Sequence, residues 1–325
     1  HKALGLVLKR GKLMASGADR TRDADLIIVD EASMIGSYLW ELMQERGFSK
    51  RATLYVGDPA QLPPVKETES PAFNFPKDRT SYLTEIVRQQ GGNPIIEYSK
   101  TLRKGKFDID NIPFDEEHII KIPVTFDKAA AMTRRLYAEG LGVATGWRNA
   151  TVDSINDAVF KLNYPSESRE YAPGQEIILQ EPLLCPTTNE VLLNNSDTTS
   201  IADIKESTLH DQSMYYGDDV FPIWEITTFE GYKLRTLQKS AKQSFWAKLD
   251  AYRSSDRMDL YWQLREKLTE IKHPYAVTTH KLQGTTVDTI LILAHDIAAN
   301  PKQEEARRCM YVAVPRASNK VGFLI

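Results

Sequence analysis

Residues 26–29 are Leu-Ile-Ile-Val, an unbroken apolar run that stops abruptly at Asp30-Glu31. A run this short and this apolar reads as a strand hidden on both faces, and such strands belong to parallel sheets covered by helices. Thr53-Leu54-Tyr55-Val56-Gly57 is a second run of the same kind, reached after a helical stretch over 38–46. Pro63-Pro64 stops regular structure, and 83–104 then reads as helical with a break at Gly91-Gly92. The two strands therefore predict an α/β domain in which polar residues emerge together at one sheet edge, where such sheets bind ligands.

A second α/β unit begins near residue 118. Residues 127–139 form an amphipathic helix pattern and 141–145 a buried strand; 150–162 is another helix, with Val152, Ile155, Val159 and Leu162 near one face. The pattern then lapses. From about 171 to 235 come short strand candidates (EIILQ, VLLNN, VFPIWEITTF, YKLRTL) between turn-rich segments, which suggests a small β-barrel. Residues 239–271 are charged and helical. From 275 the α/β pattern returns, with YAVTT, a strand at 289–294, a helix at 303–310 and a final strand VGFLI. The expected boundaries are 1–117 for the first domain, with a short hairpin over 5–24. The second spans 118–170 and 272–325, interrupted by an insertion over 171–271 that holds the barrel and the helical segment.

Composition narrows the function classes. The 325 residues are 42% hydrophobic and 26% charged, as in ordinary globular domains. No apolar run approaches the roughly 18 residues of a membrane-spanning helix, so no membrane partner is expected and a cytoplasmic location is. Cys185 and Cys309 are too few for a disulfide framework and resemble no zinc site. The net charge of −3 excludes a uniformly basic nucleic-acid-binding coat but not a local basic groove. The chain starts at His1, with neither an initiator Met nor a signal-peptide layout; the expectation is that it begins partway through a longer protein.

Five segments carry chemistry. A carboxylate such as Asp30, at the carboxyl end of a parallel strand, can hold Mg²⁺ through water, and its neighbour Glu31 can activate an attacking water. Gly57-Asp58-Pro59-Ala60-Gln61 follows the next strand, and an amide such as Gln61 can orient a water or sense a phosphate without adding charge. Arg88 lies in the helical stretch that follows. Tyr275 to Gly284 packs hydroxyls, His280, Lys281 and Gln283 just past a strand, a mixture suited to phosphates and sugars. Arg316 comes directly after the apolar Tyr311-Val312-Ala313-Val314-Pro315, as an arginine finger would. Each has a plainer structural reading taken alone; Arg88, for instance, reads equally as a surface salt-bridge arginine.

In order and spacing these segments resemble the motifs of superfamily 1 helicases, most nearly the RecD-like, Dda-type branch, over nearly the whole chain. His1-Lys2-Ala3-Leu4 resembles the tail of that family's Thr-x-His motif, Val29 to Met34 its Walker B motif, and Arg148-Asn149-Ala150-Thr151-Val152 its Asn-x-x-Val motif. Gly174 to Leu183 and Asn194-Asn195 resemble the inserted barrel. The resemblance implies two RecA-like parallel-sheet motor domains, with a small β-barrel inserted in the second. It implies an ATP-dependent DNA helicase or translocase that moves 5′ to 3′ in replication, recombination or repair, with ATP and Mg²⁺ as cofactors. Asp30 would hold Mg²⁺ through water, and Glu31 would be the general base. Gly57, Asp58, Gln61, Arg88, Gln283, Gly284 and Arg316 would line the nucleotide. His1, Lys2, Pro64, Trp147, Arg148, Asn149, Thr278, Thr279, His280 and Lys281 would lie along single-stranded DNA. Implied partners are single-stranded and forked or tailed duplex DNA, with single-strand-binding or other replisome proteins beside a monomeric motor, in a bacterial or phage-infected cell.

The sequence departs from that pattern in three places. The Gly-x-x-x-x-Gly-Lys-Ser/Thr phosphate loop (Walker A) occurs nowhere in these residues; in the family it lies upstream of the Thr-x-His motif, just before His1. The expectation is that the intact protein carries it and that these residues alone are inactive. The competing reading is a non-catalytic nucleic-acid-binding or replisome-assembly protein with a helicase-like fold, and an RNA motor is a further alternative. Pro315 stands where the family has Thr, fixing φ and removing a donor beside Arg316; slower hydrolysis is expected from it. The segment between Leu8 and Asp25 is short for a strand-splitting pin, although Arg10, Lys12, Arg20 and Arg22 could meet phosphates.

Overall fold

The computed structural model describes residues 4, 6–9, 12–15, 19, 21–84, 93–105, 107–185, 188, 190–213 and 217–325. The chain opens with an antiparallel hairpin, β1 (Leu6–Lys9) and β2 (Lys12–Ala15). Next come β3 (Ile27–Val29), α1 (Ser37–Glu45), β4 (Thr53–Tyr55) and α2 (Pro94–Lys104). They are followed by β5 (Ile119–Ile122), α3 (Phe126–Ala138), β6 (Gly142–Gly146) and α4 (Asn149–Asn163). A β-rich stretch holds β7 (Glu176–Leu179), β8 (Leu183–Leu184), β9 (Val191–Leu193), β10 (Thr198–Ser213), β11 (Gly217–Thr228) and β12 (Lys233–Leu237). Then come α5 (Lys242–Ser254), α6 (Met258–Arg265), β13 (Ile271–Lys272) and β14 (Ala276–Thr278). The chain closes with α7 (Thr279–Leu282), β15 (Val287–Leu293), α8 (Ala294–Ala298), α9 (Gln303–Ala313) and β16 (Ala317–Leu324). Two compact units result, one of residues 18–159 with 275–325 and the other of 1–17 with 160–274.

The larger unit holds two parallel sheets. In one, β14, β6, β15, β16 and β5 lie in that order, every neighbouring pair parallel. Its central strands bury Ile290, Ile292, Val321 and Phe323 completely against Met310, Val312 and Val314 of the α9 segment. The sequence sets the flanking helices: Asn93 accepts the Ile95 N–H (2.8 Å) with Pro94 in the first turn, and Thr125 caps α3. The other sheet pairs β3 with β4 in parallel, Ile28 opposite Leu54.

Here the structure corrects one expectation. The β3–β4 strands are not covered on both faces. Trp40 of α1 and Phe75 pack on Tyr55, with ring centroids 5.2 and 5.7 Å away. On the opposite face Ile28 is 62% exposed and Leu54 51%, and Leu26 and Val56 are exposed beside them. Residues this apolar stay in water only where the described chain brings nothing to cover them. Residues 83 and 84, expected to be helical, are irregular, and Leu83 is exposed.

In the smaller unit β12, β11, β10, β7 and β13 form an antiparallel sheet. The expected barrel does not close by strand pairing among the described residues. Beside its two edges the Thr269 N–H donates to the Arg235 carbonyl at 2.7 Å, and Leu234 and Ile271 share one cluster. One hydrophobic cluster joins the sheet to α5 and α6 through Phe221, Phe245, Leu249 and Tyr252; a second gathers Tyr171, Ile177, Ile201, Trp224 and Leu234.

Candidate functional site

Asp30 and Glu31 leave β3 at its carboxyl end. Glu31 sits at φ 50°, ψ 42°, a left-handed conformation that costs a residue with a Cβ roughly 1 kcal/mol. Neighbouring bonds hold it there. Its N–H meets Asp30 Oδ1 at 2.7 Å, the Met34 N–H meets its carbonyl at 3.0 Å, and the Ala32 N–H meets the Val56 carbonyl at 2.9 Å. Gly57 permits the last contact: a Cβ there would lie 2.9 Å from the Ala32 nitrogen and 3.1 Å from that of Ser33. Strain of this kind, over-determined by its surroundings, is a mark of functional positions.

Residues distant in sequence converge on this turn. Gln283 Nε2 donates to Gln61 Oε1 (3.0 Å) and to Ser33 Oγ (3.2 Å), across 222 and 250 positions of chain. A Cβ on Gly284 would stand 3.8 Å from Glu31 Oε1, so the Gln283-Gly284 turn faces the Glu31 carboxylate. Arg316 is nearly buried beside that turn, its guanidinium donating to the Thr285 carbonyl (3.4 Å) and the Val312 carbonyl (3.2 Å). Asp58 engages different partners: Arg103 Nη1 at 2.5 Å and the Tyr311 hydroxyl at 2.6 Å. Arg88, His1 and Lys2 lie outside the described residues, as do Arg10 and Arg20.

The residues expected along nucleic acid fall into two groups. Pro64, Thr278 and Thr279 are buried, Thr279 Oγ1 donating to the Gly146 carbonyl at 3.1 Å. Arg148 and Asn149 are exposed, and Trp147, His280 and Lys281 are half-buried. Burial holds the His280 imidazole below its usual range, opposed by the Glu305 charge, so it is neutral at pH 7. Trp147 packs against the main core and donates its indole N–H to Glu305 Oε1 at 3.2 Å.

One residue that organises this edge was missed in the sequence. Asp296, at the start of α8, accepts the backbone N–H groups of Trp147 (2.6 Å) and Arg148 (2.9 Å), Arg148 Nε (2.7 Å) and the Thr151 hydroxyl (2.6 Å). Its side chain is 3% exposed. Burial opposes its charge, but these four donors outweigh burial and hold the carboxyl below the usual carboxylate range. Gly146 makes room, since a Cβ there would lie 2.9 Å from Asp296 Oδ2. The available signal was the one used for Asp30, an acid just past an apolar strand.

A nucleotide with Mg²⁺ fits part of this geometry. Gln283 Oε1 is buried without a hydrogen-bond partner, beside the Gln61 amide and the Gly284 turn that faces the Glu31 carboxylate, groups suited to an oriented water. Donors for phosphate oxygens are not offered by the N-terminus of α1, because Glu67 already accepts the Ser37 N–H (2.9 Å) and hydroxyl (2.8 Å).

Comparison with known proteins agrees with the fold. A family model of the AAA domain matches residues 3–119, and one of the UvrD-like helicase C-terminal domain matches 273–324. With the parallel sheets, these define the class: an α/β protein similar to an AAA domain in its first third and to a UvrD-like helicase C-terminal domain at its end. The ATP-dependent DNA helicase dda of Enterobacteria phage T4 is 22% identical over 338 residues, spanning 92% of this chain and 75% of that protein. The uncharacterized protein R530 of Acanthamoeba polyphaga mimivirus is 22% identical over 369 residues, spanning 93% and 74%. Among solved structures, Pif1 helicase from Candida albicans aligns at TM-score 0.44 and 17% identity, covering 94% of this chain and 72% of its own. Bacteroides Pif1 bound to ssDNA aligns at 0.44 and 14%, covering 99% and 78%. In sequence the chain is thus similar to a DNA helicase of the Dda type over nearly its whole length.

Proposed function

We propose that this chain is the greater part of an ATP-dependent DNA helicase that translocates 5′ to 3′ on single-stranded DNA in replication, recombination or repair. The observation that carries the reading is the meeting of Glu31 and Ser33 with Gln61 and Gln283-Gly284, three segments with no structural need to share one place. The name of the T4 relative, an ATP-dependent DNA helicase, supports the same activity.

Bound Mg²⁺–ATP supplies an electrophilic phosphorus and a leaving group. Asp30 would hold the hydrated metal, which would neutralise phosphate charge, and Glu31 would take the proton of the attacking water while Gln61 orients it. Gln283 holds Gln61 in place. Arg316, with Arg88, neutralises the charge that develops on the transferring group. Arg148, Asn149, His280 and Lys281 track the DNA strand, steadied by Asp296, and Trp147 braces that edge through its core packing. The two motor domains are 1–117 and 118–170 with 272–325, carrying 171–271 as an insertion.

The reading calls for a phosphate-binding loop beside Asp30 and Gln61, and the bare Ile28–Leu54 face of the β3–β4 sheet is an apolar surface on which a further segment could pack. Unwinding assays test the reading. With ATP, the intact protein is expected to open a duplex bearing a 5′ single-stranded tail and to leave a 3′-tailed one closed. Equal opening of both overturns the polarity, and DNA binding without ATP hydrolysis favours the non-catalytic alternative.

A further inference from the structure

The loop that carries Gln61 is held along α9, with α2 adding Arg103 Nη1 on Asp58 Oδ2 at 2.5 Å. Arg308 of α9 donates Nη1 to the Gln61 carbonyl at 3.0 Å and to the Pro59 carbonyl at 3.3 Å, while Glu304 Oε1 fixes its Nε at 2.9 Å. One turn on, the Tyr311 hydroxyl donates to Asp58 Oδ2 and accepts from Arg103 Nη1, both at 2.6 Å. Asp58 in turn makes the loop: its Oδ1 accepts the Ala60 N–H and its carbonyl the Gln61 N–H, each at 3.0 Å. Leu62, fully buried, joins the core cluster of Cys309, Met310, Val312 and Ala313 on the same helix. Burial and the Asp58 charge push the Tyr311 hydroxyl up to about 12, so it stays a neutral donor at any working pH.

α9 runs directly into the turn Val314–Arg316. One rigid rod therefore carries Arg316 at its end and grips the Gln61 loop along its side. We infer that Arg308 and Tyr311 are positioning residues: they dock Asp58 to Gln61 on α9, so that Gln61 and Arg316 are presented together when the cleft is closed. The inference rests on the reading of Gln61 as a water- or phosphate-orienting group.

Two measurements on the intact protein test it. Amide hydrogen exchange comes first. Tyr311→Phe and Arg308→Gln are each expected to speed exchange at Ala60 and Gln61 by about tenfold, the effect of losing one charge-assisted bond, with little change in melting temperature. Unchanged exchange in both variants overturns the inference. DNA-stimulated ATP turnover comes second. Arg308→Gln is expected to lower kcat about tenfold at constant KM. Arg308→Lys is expected to recover part of that loss. Arg308→Gln combined with Gln61→Ala should be no slower than Gln61→Ala alone. Independent, multiplying losses overturn the positioning role. Full turnover in Gln61→Ala removes the parent reading instead, and is told apart because the exchange result still shows whether α9 holds the loop.

Discussion

Asp296 shows how much one side chain can settle. Four donors, two of them backbone N–H groups, converge on a carboxylate with almost no access to water. Asp296→Asn replaces an acceptor with a donor facing those N–H groups. It is expected to cost about 3 kcal/mol, readable by urea denaturation at pH 7. Because the folded carboxyl lies below its unfolded value, its contribution is fully present above about pH 4 and is lost as pH falls through the folded value. The acid limb of the stability profile should therefore shrink in Asp296→Asn; an unchanged limb contradicts the assignment. Gly57 gives a second test at this scale. A Cβ there meets the Ala32 nitrogen at 2.9 Å, so Gly57→Ala must push the Glu31 turn away from β4. A loss of about 1–3 kcal/mol is expected, as for other overpacked sites, and melting temperature reads it.

Among the elements, the strands differ in how openly the sequence declares them. β3, β4, β15 and β16 are short or long apolar runs, and their parallel pairing follows from helices between them. β10 is different. Its buried apolar residues fall at Ile201, Ile204 and Leu209, an irregular spacing, and the register shifts between Ile201 and Asp203, which resets the alternation there. A sixteen-residue strand was hidden by that bulge. The first sheet carries the opposite lesson: Leu26 to Val29 reads as doubly buried, yet Ile28 and Leu54 face water. If a further segment covers that face in the intact protein, Leu54→Asp should destabilise the intact protein by about 2–3 kcal/mol, the value of one buried leucine. The same change should scarcely alter the 325-residue chain. Equal effects in both would show that the face stays bare.

At the scale of the whole molecule, the candidate site was legible because its motifs carry their chemistry in local residue types. Asp30-Glu31, Gly57 to Gln61 and Thr278 to Gly284 could be named from an acid pair, a glycine-bounded turn and a cluster of hydroxyls and amides. The bonds that join them could not. Gln283 to Gln61, Arg308 to the Gln61 carbonyl and Tyr311 to Asp58 each link residues more than 200 positions apart. Nothing local in Arg308 or Tyr311 separates a positioning residue from a surface one. The central claim is that these segments form one hydrolytic site in a DNA motor, with Glu31 as the proton acceptor. The most direct measurement is DNA-stimulated ATP hydrolysis by the intact protein and its Glu31→Gln variant, with single-stranded DNA affinity followed in parallel. Turnover is expected to fall by at least about a hundredfold, the lower end for removing a general base, while affinity for DNA stays within about twofold. Undiminished turnover in Glu31→Gln would contradict the account.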